Sequence, residues 1–227
     1  MKVSERLLRE NGRDYALRVI KDNIIHLGLE PGSQISENEL AAELGLSRAP
    51  VREALIELSK VRIIEIRPQK RSVISLIDYD MVEEARFMRN VLECAVVELV
   101  CGKIQAKDVE RLRENVQLQN FYLENFNPDK LWSLDDDFHQ ILFEAARKPQ
   151  VYSLMHNITI HFDRVRNMSL STIKDLKIVQ DHEDICDAVE QGDAEKARAL
   201  MEVHLNRYKI DAKAIQEAYP QYFLKKT

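Results

Sequence analysis

Four side chains in the C-terminal two thirds of this 227-residue chain have the types and spacing of a metal site. Asp135 and His139 are four residues apart, so on a helix they share a face, and that face also carries Trp132, Leu142, Phe143 and Ala146. A carboxylate and an imidazole are thereby aimed at a core. His182 lies between Ile178/Val179 and Ile185/Cys186, and His204 lies among Leu200, Met201 and Tyr208, both on inward helical faces. Gly192 and Asp193 make a corner between those two helices. His182 precedes the corner by about ten residues and His204 follows it by about twelve, so at ~1.5 Å per residue the two rings reach nearly the same height. One carboxylate and three imidazoles form an O,N,N,N set suited to a divalent Zn, Ni, Co or Mn ion, with zinc the first choice. Such a set could activate water, act as a metal sensor or brace the fold. The other three histidines, His26, His156 and His161, have no carboxylate at i,i+4 on an apolar face and read as ordinary residues.

A second group, at residues 47–71, has seven basic residues against three acidic ones in a chain whose net charge is −5. The run Ser47, Arg48, Ala49, Pro50, Val51, Arg52 reads as a helix start. Ser47 caps it and leaves backbone N–H groups open to a phosphate, and Pro50 is tolerated in a first turn. Arg48 and Arg52 then project from one exposed face near the end that enters a major groove, where one can read a guanine edge while the other clamps phosphate. Lys70 and Arg71 sit at the basic tip of a hairpin read from the β-branched runs 63–66 and 73–77.

The elements around these groups follow from periodicity. Helices are predicted over 14–27, from Ser36 (with Glu39 completing a capping box) to Leu44, and from Ser47 to about Lys60; with the hairpin they form a winged helix-turn-helix. From residue 79 onward the pattern is helical, with spans 79–101, 106–125, 128–146, 150–168, 174–191 and 194–216 separated by Gly102, Asn127-Pro128, Pro149 and Gly192-Asp193. Short loops imply an antiparallel bundle. The expected organisation is mainly α: an extension over 1–13, a DNA-binding domain over 14–77, and a helical domain over 78–227 that carries the metal set. Cys94, Cys101 and Cys186 form no CxxC pair and read as buried, reduced packing residues. With no apolar run near 18 residues and a polar start, the expectation is a cytoplasmic protein without a membrane partner.

The runs LAAELGLSRAPVREAL and IEIRPQKRSVISL resemble the signature of GntR-family bacterial transcription factors over residues 14–77. The resemblance implies DNA contacts from Ser47, Arg48 and Arg52, with the wing tip at Lys70 and Arg71. Two positions depart from it: Arg62 and Arg71 stand where relatives usually have glycine. Such a replacement costs about 1 kcal/mol if the backbone is left-handed; alternatively, the arginines serve a narrow groove or its flanking phosphates. The C-terminal run Met88 to Glu93, together with Asp135-x3-His139, Asp181-His182-Glu183 and Met201-x2-His204, resembles the FCD domain of the FadR-type subfamily. That implies metal ligands Asp135, His139, His182 and His204, and a small carboxylate effector. Arg89 is matched to the effector carboxylate, against the alternative of an i,i+4 ion pair with Glu93. The function implied is a homodimeric regulator of double-stranded operator DNA. A metal-dependent hydrolase or lyase, or a direct metal sensor, are the alternatives.

Overall fold

The computed structural model describes residues 1–67, 70–172 and 177–225. An N-terminal winged helix-turn-helix is built from α1 (Gly12–Ile25), β1 (Gln34–Ile35), α2 (Glu37–Leu44), α3 (Arg48–Lys60), β2 (Ile64–Glu65) and β3 (Ser72–Ile74). Val19, Ile20 and Ile24 of α1 meet Val51, Leu55 and Leu58 of α3 in a single apolar core. The sheet order is β1-β3-β2, all antiparallel, with Ile64 opposite Ile74 and Gln34 opposite Val73. Strand β1 is too short to leave a periodic signal, and the sequence reading passed over it. Pro68 and Gln69 of the wing tip lie outside the described residues.

The capping box at Ser36 does not form. Ser36 occupies the N-cap position without a side-chain bond, and Glu39 reaches across to the wing instead, accepting from both Nη groups of Arg71. The two positions that depart from glycine behave differently. Arg62 follows α3 with φ of 59°, in the left-handed region, whereas Arg71 is not among the positive-φ residues. The strain expected of a non-glycine residue therefore applies at Arg62 alone.

The C-terminal bundle contains α4 (Tyr79–Val100), α5 (Ala106–Glu124), α6 (Pro128–Ala145), α7 (Pro149–Ile158), α8 (Ile160–Thr172), α9 (Ile178–Gln191), α10 (Ala194–Asn206) and α11 (Tyr208–Ala218). Asn127 caps α6 by accepting from Lys130 N–H, and Asp193 caps α10 by accepting from Lys196 N–H. Gly192 closes α9 with φ of 74°, a left-handed turn that favours glycine. Two of the expected helices are each divided. Residues 150–168 break at Thr159, whose hydroxyl bonds the Asp163 carboxylate in the first turn of α8. Residues 194–216 break at Arg207, whose N–H reaches back three residues to His204 and whose guanidinium is drawn to Asp181. The start expected for α9 at residue 174 lies outside the described residues.

A second apolar cluster fills the bundle, and a third surrounds Ile77, where the two domains join. There, Ile77 donates to Tyr222 O and accepts from Leu224 N–H, which makes a parallel bridge to the C-terminal segment. The ring of Phe223 stacks on Tyr79 at 5.3 Å. Cys94 and Cys186 are buried and Cys101 is half-buried, a correction to the expectation for the last. Burial pushes the Cys94 thiol up to about 11 and that of Cys186 to about 12, so both are unreactive packing groups. Among the described residues no helix is long and apolar enough to cross a membrane.

Candidate DNA face and candidate metal centre

The first site is a groove of about 560 Å³ between the start of α2, the exposed face of α3 and the wing. Ser47 is the N-cap of α3 and makes no side-chain capping bond, so its hydroxyl and the first-turn amides are available to a phosphate. Arg48, Arg52, Lys70 and Arg71 are exposed around the same groove, as their spacing implied. Arg48 pairs with Glu37 at 3.2 Å, and Arg71 pairs with Glu39. Neither Arg52 nor the Lys70 ammonium has a side-chain partner among the described residues. A charge count over 47–71 could not reveal the two glutamates, because they come from the preceding helix. Exposed pairs of this kind contribute about 0–1 kcal/mol, so a DNA phosphate can replace the carboxylates at little cost.

The second site is assembled from three directions. Helix α6 supplies Asp135 and His139, α9 supplies His182, and α10 supplies His204, all four buried. Their ligand atoms lie within 4.8 Å of one another. The His204 Nε2 atom is 3.1 Å from His139 Nε2 and 3.3 Å from His182 Nε2, and His182 Nε2 is 3.6 Å from Asp135 Oδ1.

Each ring is oriented from behind. His182 Nδ1 donates to Gln119 Oε1 at 2.8 Å, and that amide is itself fixed because its Nε2 donates to Asn115 Oδ1 at 2.6 Å. His139 Nδ1 faces Glu93 Oε2 at 2.5 Å. His204 Nδ1 faces Asp181 at 3.6 Å, and Arg207 holds Asp181 from the other side. The Gln119 acceptor fixes the His182 tautomer with its proton outward, and the carboxylates that face the other two Nδ1 atoms favour the same tautomer there, which leaves three Nε2 lone pairs converging. Burial pushes the His139 and His182 pKa values down, which keeps both rings neutral. Burial would raise Glu93, yet Arg89 and His139 hold its carboxyl well below the usual range.

Converging lone pairs repel unless a cation lies among them. Metal–nitrogen bonds of ~2.0–2.1 Å at tetrahedral or octahedral angles place ligand atoms roughly 2.9–3.4 Å apart, the spacing of His204 Nε2 from each of the other two nitrogens. Both Asp135 oxygens are buried without a hydrogen-bond partner among the described residues, and the charged contact they have is Arg166 Nε at 3.3 Å. The donor set therefore fits a divalent ion.

Arg89 is 3% exposed and its Nε donates to Glu93 Oε1 at 2.6 Å, so the i,i+4 pair is formed. Sequence reasoning did not find Arg166, which lies against Asp135 and Asp136 with its guanidinium 4.1 Å from the Trp132 ring centroid. It also passed over Gln119 and gave Asp181, named only within the Asp181-His182-Glu183 pattern, no role behind a histidine. Asp181 adjoins His182 in sequence and was open to discovery, whereas Gln119 had no local signal.

The two sites lie in the segments that two family models match: bacterial regulatory proteins of the GntR family over residues 16–74, and the FCD domain over residues 84–207. The chain is also 30% identical over 207 residues to the HTH-type transcriptional repressor RspR of Escherichia coli (strain K12), covering 91% of each chain. This chain belongs to the GntR family, with an FCD domain. An uncharacterized HTH-type transcriptional regulator in an unstable DNA locus of Streptomyces ambofaciens is 32% identical over 216 residues, covering 95% of this chain and 90% of its own. Among solved structures, E. coli McbR/YncC matches the GntR/FCD fold with a TM-score of 0.79 at 17% identity, covering 92% of this chain and 99% of that one. Membership of a family of transcription regulators sets aside the hydrolase or lyase alternative.

Proposed function

We propose that this GntR/FCD regulator is a homodimeric repressor whose affinity for double-stranded operator DNA responds to a small carboxylate effector bound beside a divalent metal, zinc first. The reading is carried by the convergence of three Nε2 atoms and the Asp135 carboxylate, with Gln119 bonded behind His182 and carboxylates facing the other two rings. Asp135, His139, His182 and His204 hold the metal, which when bound supplies an electrophile for a carboxylate oxygen. Glu93, Gln119 and Asp181 keep the imidazole protons away from it. Arg89, with Nε engaged by Glu93, offers the other edge of its guanidinium to the effector. Ser47, Arg48, Arg52, Lys70 and Arg71 form the DNA contacts. Repression follows the named activity of RspR.

A second copy is the partner that two half-sites require. Helix α4 supports it with a stripe of exposed residues at four-residue spacing, Phe87, Val91, Ala95 and Leu99. Changing Phe87 and Val91 together to glutamate is expected to shift the protein from dimer to monomer in sedimentation velocity.

The deciding experiment measures binding of the purified chain to duplexes it selects from a random pool, with zinc, with a chelator, and with zinc plus a panel of small carboxylic acids. Selection of a defined sequence and an acid-dependent change in affinity are expected. Failure to select any sequence overturns the DNA reading. A response to chelation but to no acid makes the protein a metal sensor instead.

A further inference from the structure

Helix α8 carries a buried cation that neither the DNA face nor the metal centre uses. Arg164 is 0% exposed, and no described carboxylate lies within ion-pairing distance of it. Its Nη1 donates to Ser75 O at 2.7 Å and its Nη2 lies 3.5 Å from Leu76 O, both in the segment joining the wing to the helical domain. The same Nη2 is 3.3 Å from His161 Nδ1, and His161 Nε2 is 2.8 Å from Val61 O, the carbonyl just past the end of recognition helix α3. These contacts have one consistent polarity. A carbonyl only accepts, so His161 Nε2 carries the proton and Nδ1 accepts from Arg164. The result is a continuous chain from α8 to the two ends of the wing, one at the close of α3 and the other at the segment that leads into the helical domain.

A buried guanidinium without a carboxylate partner costs several kcal/mol to desolvate, and hydrogen bonds to neutral carbonyls offset that cost only in part. Stability alone does not account for Arg164. Two residues further along α8, on the opposite face of the helix, Arg166 is fixed by Asp135 and Asp136. The helix is thus anchored to the bundle on one side and to the DNA reader on the other.

We propose that His161 and Arg164 are positioning residues that lock the orientation of the winged helix-turn-helix on the helical domain, so that the two recognition helices of a dimer meet DNA in a fixed register. The lock requires no metal or effector. It rests on the DNA-binding reading for its second readout only.

The test compares full-length wild type with Arg164→Met, which keeps volume and removes the donors, and with His161→Phe. Amide hydrogen exchange is expected to rise at least tenfold over residues 59–63 and 74–78 in Arg164→Met, and over 59–63 alone in His161→Phe, with α5 and α10 unchanged and Tm equal or higher. Binding to a duplex selected by the wild type is expected to fall about tenfold relative to an unrelated duplex, a ratio that simple loss of folded protein does not move. Arg164→Lys, which can still donate to Ser75 O, is expected to restore part of the protection and covers the case in which methionine is not accommodated. Unchanged exchange in these segments in folded variants overturns the lock, whether or not any duplex is selected. Raised exchange with an unchanged binding ratio overturns its role in register.

Discussion

The DNA face and the metal centre are both built from charged and polar side chains, but they sit on opposite sides of the solvent boundary. Around α3, the Arg48 side chain is 67% exposed, and the partner glutamates can exchange for water or phosphate. Around α6, α9 and α10, water is excluded, so each donor needs a fixed partner and each lone pair left over has a cost. The first region can lose any one side chain and keep its fold. The second is coherent only as a set, because removing one acceptor behind a ring frees the tautomer of that ring.

The largest expected effect breaks the buried set. His182→Ala should weaken zinc binding at least ~100-fold by calorimetry, in line with loss of a primary ligand where loss of a backing group costs 10–100-fold. Addition of chelator should lower the wild-type Tm and leave that of the variant unmoved. If zinc affinity proves equal in the two proteins, the cluster is not the binding site.

Next comes the exposed set. Arg52→Ala should reduce affinity for the selected duplex by about 10–100-fold, as expected for about 1–3 kcal/mol of base discrimination, with no change in Tm. A parallel loss of stability would mean that Arg52 belongs to the fold.

A smaller effect concerns pH. Burial, with Arg164 and Arg62 adding to it against Asp78 and the Val61 carbonyl, pushes His161 down to about 4. The unfolded chain therefore binds the extra proton first. Stability is expected to fall as pH drops from about 6.5 towards 4 and to level off below that. The slope of Tm against pH should be shallower in His161→Phe; an identical slope would assign the effect elsewhere.

Smallest of all is Arg62→Gly. Relief of the left-handed conformation is expected to add about 1 kcal/mol, seen as a rise in Tm of roughly 2–4 °C. Arg71→Gly should give no such gain.

The difference in legibility between the two regions has a physical origin. Helix α3 and its arginines could be read from the sequence because a helix places i and i+4 together without help from distant residues. Asp135 and His139 were visible for the same reason, and the Gly192 corner brought His182 and His204 into register by chain geometry. What lay beyond reading was contact between elements distant in sequence: Glu39 on Arg71, Gln119 behind His182, Arg166 on Asp135. His161 was the instructive miss. It has no carboxylate at i,i+4 and reads as an ordinary residue, yet it bonds a carbonyl a hundred residues earlier. Backbone carbonyls occur at every position, so they leave no mark in a pattern of residue types.

The bridge between Ile77 and Phe223 has a consequence in time. These two strand partners are separated by about 145 residues, so at roughly 5–20 residues per second a ribosome makes the second some 7–30 s after the first. The DNA reader can fold early, but the segment that joins it to the bundle gains this partner only when almost all of the bundle has been made. A nascent chain thus holds a finished reader whose direction is not yet set.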